Sequence, residues 1–231
     1  MTDIAKILFL SLCVSVLFLE SSSHGQGAQQ VDPKVSVPVD KTSEVIKLQA
    51  ILKKQQFLSV QFTQTTVRAL RPNRPRKTRG KAFFANPNRF VWSQEKPIRE
   101  QLIYDGSSLV QHRPDAKVAT RFGKSGNVRL REVEEVVAMV LKPESLLSRY
   151  SIKNLTEDPT SIQVVFEPRE QSQIQEIQLK VRQTDKAVSA VQLRYSNGNL
   201  WSVQFTDISF AQLDDKLFKF RPVPGTNITD L

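Results

Sequence analysis

The chain has 231 residues, a formal net charge of +10, two histidines and a single cysteine, Cys13. That length is enough for one domain with a real core. One cysteine excludes a disulfide scaffold and a cysteine-ligated metal site. At the N-terminus, Lys6 precedes Ile7–Leu19 (ILFLSLCVSVLFL), and a small polar exit (SSSHGQGAQQ) follows. A positive start, an apolar run and a small-residue exit predict a secretory signal peptide over residues 1–28. The run is shorter than the roughly 20 residues of a spanning helix, and an uncleaved anchor is the alternative. Leu12 precedes Cys13 and Val14–Leu19 continues the run, which argues against lipidation of that cysteine. Loss of residues 1–28, in which Lys6 stands against Asp3 and Glu20, would raise the net charge by one to +11. Such an excess favours an anionic partner.

Residues 29–42 lack periodicity and read as a flexible lead-in to a single domain over 43–231. A helix is predicted for Ser43–Gln56, capped by Thr42 or Ser43, with Val45, Leu48, Ile51 and Leu52 as its stripe. The period then falls to two. Leu58, Val60 and Phe62 alternate with Ser59, Gln61 and Thr63. A basic segment (RALRPNRPRKTRG) puts six positive charges between Arg68 and Arg79. Its Pro72 and Pro75 predict a loop rather than regular strand. Strands at KAFF and RFVWSQ come next, with Phe90 and Trp92 on one face. Gln101–Tyr104 and Ser108–His112 flank Asp105-Gly106, a hairpin signal.

Val128–Leu141 interrupts the strands with a helical pattern that groups Val133, Val136, Val137 and Val140. Pro143–Arg149 predicts a further short helix with proline first. Four alternating segments follow, marked by Ile162/Val164/Phe166, Ile177/Leu179/Val181, Val191/Leu193/Tyr195 and Trp201/Val203/Phe205. One wet and one greasy face over many sequential strands predicts a mainly β fold, a single large curved antiparallel sheet. About three helices remain to cover its greasy face.

The inventory for catalysis is thin. His112 is the only histidine after residue 28, and metal sites need several ligands together. No GxSxG elbow or phosphate-cradling glycine loop occurs. Glu134–Glu135 and Asp214–Asp215 read as solvated charge, and the Asn154 and Asn227 acceptor patterns are too short to carry weight. No metal, cofactor or enzymatic reaction is expected.

At Gly80–Trp92 (GKAFFANPNRFVW) the sequence resembles the LolA family of outer-membrane lipoprotein carriers. Gln61-Phe62-Thr63-Gln64 is similar to the family's first-strand FTQ. Gly80, Pro87-Asn88, Phe90 and Trp92 resemble its G…PN.F.W. Asp105-Gly106 with Leu109 resembles DG..L, and Phe218–Gly225 (FKFRPVPG) resembles its C-terminal F.F.PP.G. The resemblance covers about residues 43–230. It implies an unclosed antiparallel β-barrel lidded by helices, with an apolar cavity for acyl chains. The candidate cavity residues are then Phe62, Phe90, Trp92, Leu102, Val136, Val137, Val140, Leu146, Phe166, Leu179, Leu193, Trp201, Val203 and Phe205. Among them, Phe90 occupies the family position implicated in cavity and transporter contacts. The family's lid arginine is replaced here by Asn86, so Asn86 and Arg89 are the candidates for the lid and entrance.

The partners that the resemblance implies are acylated lipoproteins, an inner-membrane ABC-type release complex and an outer-membrane lipoprotein receptor. A monomer in the periplasm of a Gram-negative bacterium is expected. Arg71, Arg74, Arg76 and Lys77 are the candidates for docking an acidic partner or anionic headgroups. Nucleic acid is not expected, because the segment offers no aromatic side chains for stacking. The apolar stripes are also what a closed core would have, so alternation alone leaves cavity and packed interior open. The alternative functions are a sensor or regulatory protein of the same fold, or a carrier of another amphiphile such as a glycolipid.

Overall fold

The computed structural model describes residues 46, 56–123, 140 and 143–231. The expected signal peptide, the lead-in and most of the two predicted helices, Ser43–Gln56 and Val128–Leu141, lie outside these residues. Of those helices, only Ile46 and Val140, each in helical conformation, and Gln56, in a bend, are described. The expected helical cover is therefore not established. The third predicted helix is a 3-10 turn, Pro143–Ser148.

Among the described residues, twelve strands form one sheet. In chain order they are β1 (Phe57–Arg68), β2 (Arg71–Ala85), β3 (Arg89–Lys96), β4 (Glu100–Tyr104), β5 (Leu109–Arg113) and β6 (Val118–Phe122). Then come β7 (Tyr150–Glu157), β8 (Ser161–Pro168), β9 (Ile174–Arg182), β10 (Val188–Tyr195), β11 (Leu200–Ser209) and β12 (Asn227–Asp230). Two meanders, β1 to β6 and β7 to β11, are joined where β1 pairs antiparallel with β11. The strand order runs from β12 at one edge to β7 at the other, so the sheet is unclosed. Every pairing is antiparallel except that of β12 with β6, which is parallel and corrects the wholly antiparallel expectation. Alternation in the sequence did not mark β6, β7 or β12, which are short or largely polar.

The basic segment is also corrected. It is strand, not loop: β2 begins at Arg71, and Arg68 pairs with Arg71 across a turn at Ala69-Leu70. The ladder slips between Thr66 and Arg68, placing Pro72 and Pro75 in an irregular stretch that the β1 ladder skips. N-terminal to Arg79, β2 has no β3 partner. Proline lacks an N–H, and an irregular, one-sided stretch of strand is where that loss is tolerated.

The sheet is strongly curved. Trp92 on β3 and Phe205 on β11 are three strand spacings apart, about 14 Å on a flat sheet. Their ring centroids are 6.4 Å apart. Phe62 on β1 stacks on Trp92 at 4.0 Å across β2. Gly80, opposite Phe62, makes this possible: a Cβ there would lie 1.9 Å from the Ser93 carbonyl oxygen and 2.9 Å from the Phe62 ring.

The outer face is covered in part by the C-terminal segment. Leu213, Phe218 and Phe220 pack with Ala85, Val91 and Ile103. A 3-10 turn, Asp215–Phe218, is capped by Asp214, whose carboxylate accepts from Lys216 N–H at 2.8 Å. Beyond it, β12 docks on β6, and Gly123 N–H donates to the Leu231 carbonyl at 3.0 Å.

Candidate functional site

The inner face collects the alternating apolar residues of the sheet. Phe62, Phe90, Trp92, Leu102, Val140, Leu146, Phe166, Leu179, Leu193, Trp201, Val203 and Phe205 all belong to one buried apolar cluster. The remaining two candidates, Val136 and Val137, lie outside the described residues. Register explains the convergence. Trp92 stands opposite Leu102, Val203 opposite Val191, Leu193 opposite Ile177, and Leu179 opposite Val164. Phe90 lies between Phe84 and Tyr104, with centroids 6.3 and 6.5 Å away. Phe84, Leu109, Phe122 and Ile152 also join the cluster, although they were not among the cavity candidates. Phe84 could have been found, because it is in register with Ala82 and Gly80 on one face.

At one end of this face the lining turns polar. Gln64 and Thr66 continue the alternation of Phe62 along β1; Thr78, Gln94 and Glu100 follow on β2, β3 and β4, all buried. Glu100, only 3% exposed, accepts from Gln111 Nε2 at 2.5 Å and from Arg113 Nε at 3.2 Å. Gln94 Nε2 donates to the Ile98 carbonyl at 2.7 Å. This is the end that carries the β1–β2, β3–β4 and β10–β11 turns. The greasy face expected from the sequence is thus amphipathic along its length.

The two entrance candidates flank the β2–β3 turn. Asn86 is buried at the β2–β3 turn, where its N–H donates to the Gln56 carbonyl at 2.9 Å. Arg89 is on the outer face, paired with Asp215 at 2.7 Å and stacked over the Phe218 ring at 4.9 Å. Among the described residues it thereby fastens the C-terminal segment to β3. Arg71, Arg74 and Lys77 are exposed on β2 and Arg76 is half-buried; Leu70 at the adjoining turn is 95% exposed. That turn is held by Ala69 N–H donating to Asn199 Oδ1 at 2.9 Å.

His112 is buried on the outer face. Its ring meets Phe220 edge-on at 5.1 Å, and its Nδ1 lies 3.3 Å from Gln101 Oε1. Burial holds its pKa below the usual histidine value. In the Asp105 turn, burial pushes the carboxyl up, but hydrogen bonds from Ser108 and Ser107 outweigh it and keep the pKa below the usual value.

The sequence profile of the family described as "Outer membrane lipoprotein carrier protein LolA" matches residues 53–221. The chain therefore belongs to the LolA family. It is 25% identical over 192 residues to an outer-membrane lipoprotein carrier protein of Methylococcus capsulatus, covering 81% of this chain and 88% of that one. A crystal structure of an uncharacterised conserved protein from Thermus thermophilus superposes with a TM-score of 0.53 at 6% identity, over 83% of this chain and all of that one. It shares the fold alone. A LolA-superfamily protein from Nitrosomonas europaea matches with a TM-score of 0.41 at 12% identity, over 79% and 98% of the two chains.

Proposed function

We propose that this protein is a periplasmic carrier that receives acylated lipoproteins from an inner-membrane release complex and delivers them to a receptor on the outer membrane. It acts by holding acyl chains against the inner face of the sheet. The observation that carries this reading is the gathering of twelve sequence-selected apolar residues in one buried cluster, ten of them on one face of the curved sheet, in a chain of the LolA family.

The physical need is plain. Each buried CH₂ contributes about 0.8 kcal/mol to membrane anchoring. A multiply acylated protein thus leaves a bilayer only if another apolar environment replaces it. A curved sheet offers that environment, and its open edges between β7 and β12 leave room for the walls to part. The basic strand β2 would set the approach to acidic surfaces, since exposed positive charge speeds encounter more than it tightens the complex.

Purification from the native periplasm, followed by solvent extraction and mass spectrometry, tests the reading. The protein should carry acylated lipoprotein. Exclusive recovery of glycolipid, or of an unacylated partner protein, would replace the carrier function with one of its alternatives.

A further inference from the structure

The polar end of the inner face has a feature that packing does not account for. Thr66 Oγ1, Thr78 Oγ1 and Trp201 Nε1 are fully buried and have no hydrogen-bond partner among the described residues. Unpaired buried donors are destabilising, and native proteins keep few of them. These three are neighbours. Thr66 stands opposite Trp201 across the β1–β11 ladder, and Thr78 stands opposite Gln64, one step along the same face from Thr66. Directly opposed side chains are about 5 Å apart and diagonal ones about 7–8 Å, so the three groups form one patch.

The chemistry of the patch is specific. An indole N–H only donates, and a threonine hydroxyl both donates and accepts. Together they call for a ligand with acceptor oxygens. Gln64 follows Thr66 on the same face, and beyond it the lining is apolar: Phe62 and Val203, with Leu193 opposite Trp201. The ligand must therefore be a hydrocarbon body with carbonyl oxygens at one end.

We infer that Thr66, Thr78 and Trp201 form a subsite for the ester or amide carbonyls that join acyl chains to their polar headgroup. The inference rests on the carrier reading and gives it a direction. The chains run along the face from Phe62 towards Phe84 and Leu58, and the linkage lies at the end bearing the β1–β2 and β10–β11 turns. The protein part of the cargo then leaves beside Leu70, Arg71 and Arg74.

The test compares two fluorescent probes, a diacylglyceryl ester and the dialkylglyceryl ether of equal chain length, which has no carbonyl oxygens. The wild-type protein should bind the ester about tenfold or more tightly, because each net hydrogen bond adds several-fold to affinity. In the variant Thr66→Val, Thr78→Val the preference should fall several-fold, with ether affinity held within about twofold. Thr→Val keeps the shape and removes an unpaired hydroxyl, so each single Thr→Val variant should fold with an unchanged or raised thermal midpoint. The single variants replace the double variant if it does not fold. Equal affinities in the wild type, or an ester preference that survives the substitutions, would overturn the subsite and leave the carrier reading standing. Failure of the wild type to bind either probe would sink both.

Discussion

Gly80 is the position where a single atom decides the packing. A methyl there would sit 1.9 Å from the Ser93 carbonyl oxygen and 2.9 Å from Gln94 Cα, both backbone atoms that cannot rotate away. Relief would require β2 and β3 to separate, and it would displace Phe62 from Trp92. Gly80→Ala should therefore cost at least about 2 kcal/mol, in the overpacking range, read as a lowered urea midpoint; an unchanged midpoint would contradict the close approach. His112 makes a second prediction at this scale. Its folded pKa lies below its unfolded value of 6.5, so the unfolded chain takes up a proton first as pH falls. The stability held above pH 6.5 should then be lost on the way down to the folded pKa, by at most about 1.4 kcal/mol per pH unit. In a chain starting at residue 29, His112 is the only histidine. Denaturation at pH 7 and at pH 5.5 should reveal this slope, and His112→Phe should flatten it; an equal slope in the variant would place the proton elsewhere.

Among the elements, β2 departs most from expectation. Pro72 and Pro75 suggested a loop, because proline removes a ladder hydrogen bond. That argument fails for an irregular stretch of strand with no β3 partner, and one-dimensional pattern does not reveal which flank of a strand is open. The same limit hid β12, four exposed residues held in parallel register by their placement beside β6 rather than by alternation. By contrast, strands bearing Phe62, Trp92, Leu179 or Val203 were legible, since one buried face imposes period two. The polar band was within reach, because Gln64 and Thr66 follow Phe62 in the same phase. Their burial depended on neighbours distant in sequence. The charged part of β2 carries the prediction for this scale. Replacing Arg71, Arg74, Arg76 and Lys77 with serine should slow association with an anionic partner surface and flatten its salt dependence, leaving cargo affinity unchanged. Stopped-flow rates across a salt series check it; identical rates and slopes would reduce the strand to a solubilising edge.

For the molecule as a whole, the meeting of β1 with β11 joins two meanders into one curved wall, while the free edges of β7 and β12 keep it from closing. The C-terminal segment braces the outer face through Phe218 and the Arg89–Asp215 pair, so the inner face is the side on which bulky apolar residues from both meanders meet. Whether that face accepts cargo is most directly measured by incubating the purified protein with inner-membrane vesicles bearing the cognate release complex, a triacylated lipoprotein and ATP. The wild type should bring the lipoprotein into the aqueous fraction as a one-to-one complex. The variant Phe90→Glu, judged folded by circular dichroism, should release none, because a charge at an apolar lipid contact costs several kcal/mol. Lipoprotein that stays with the vesicles in the presence of the wild-type protein would contradict the carrier function.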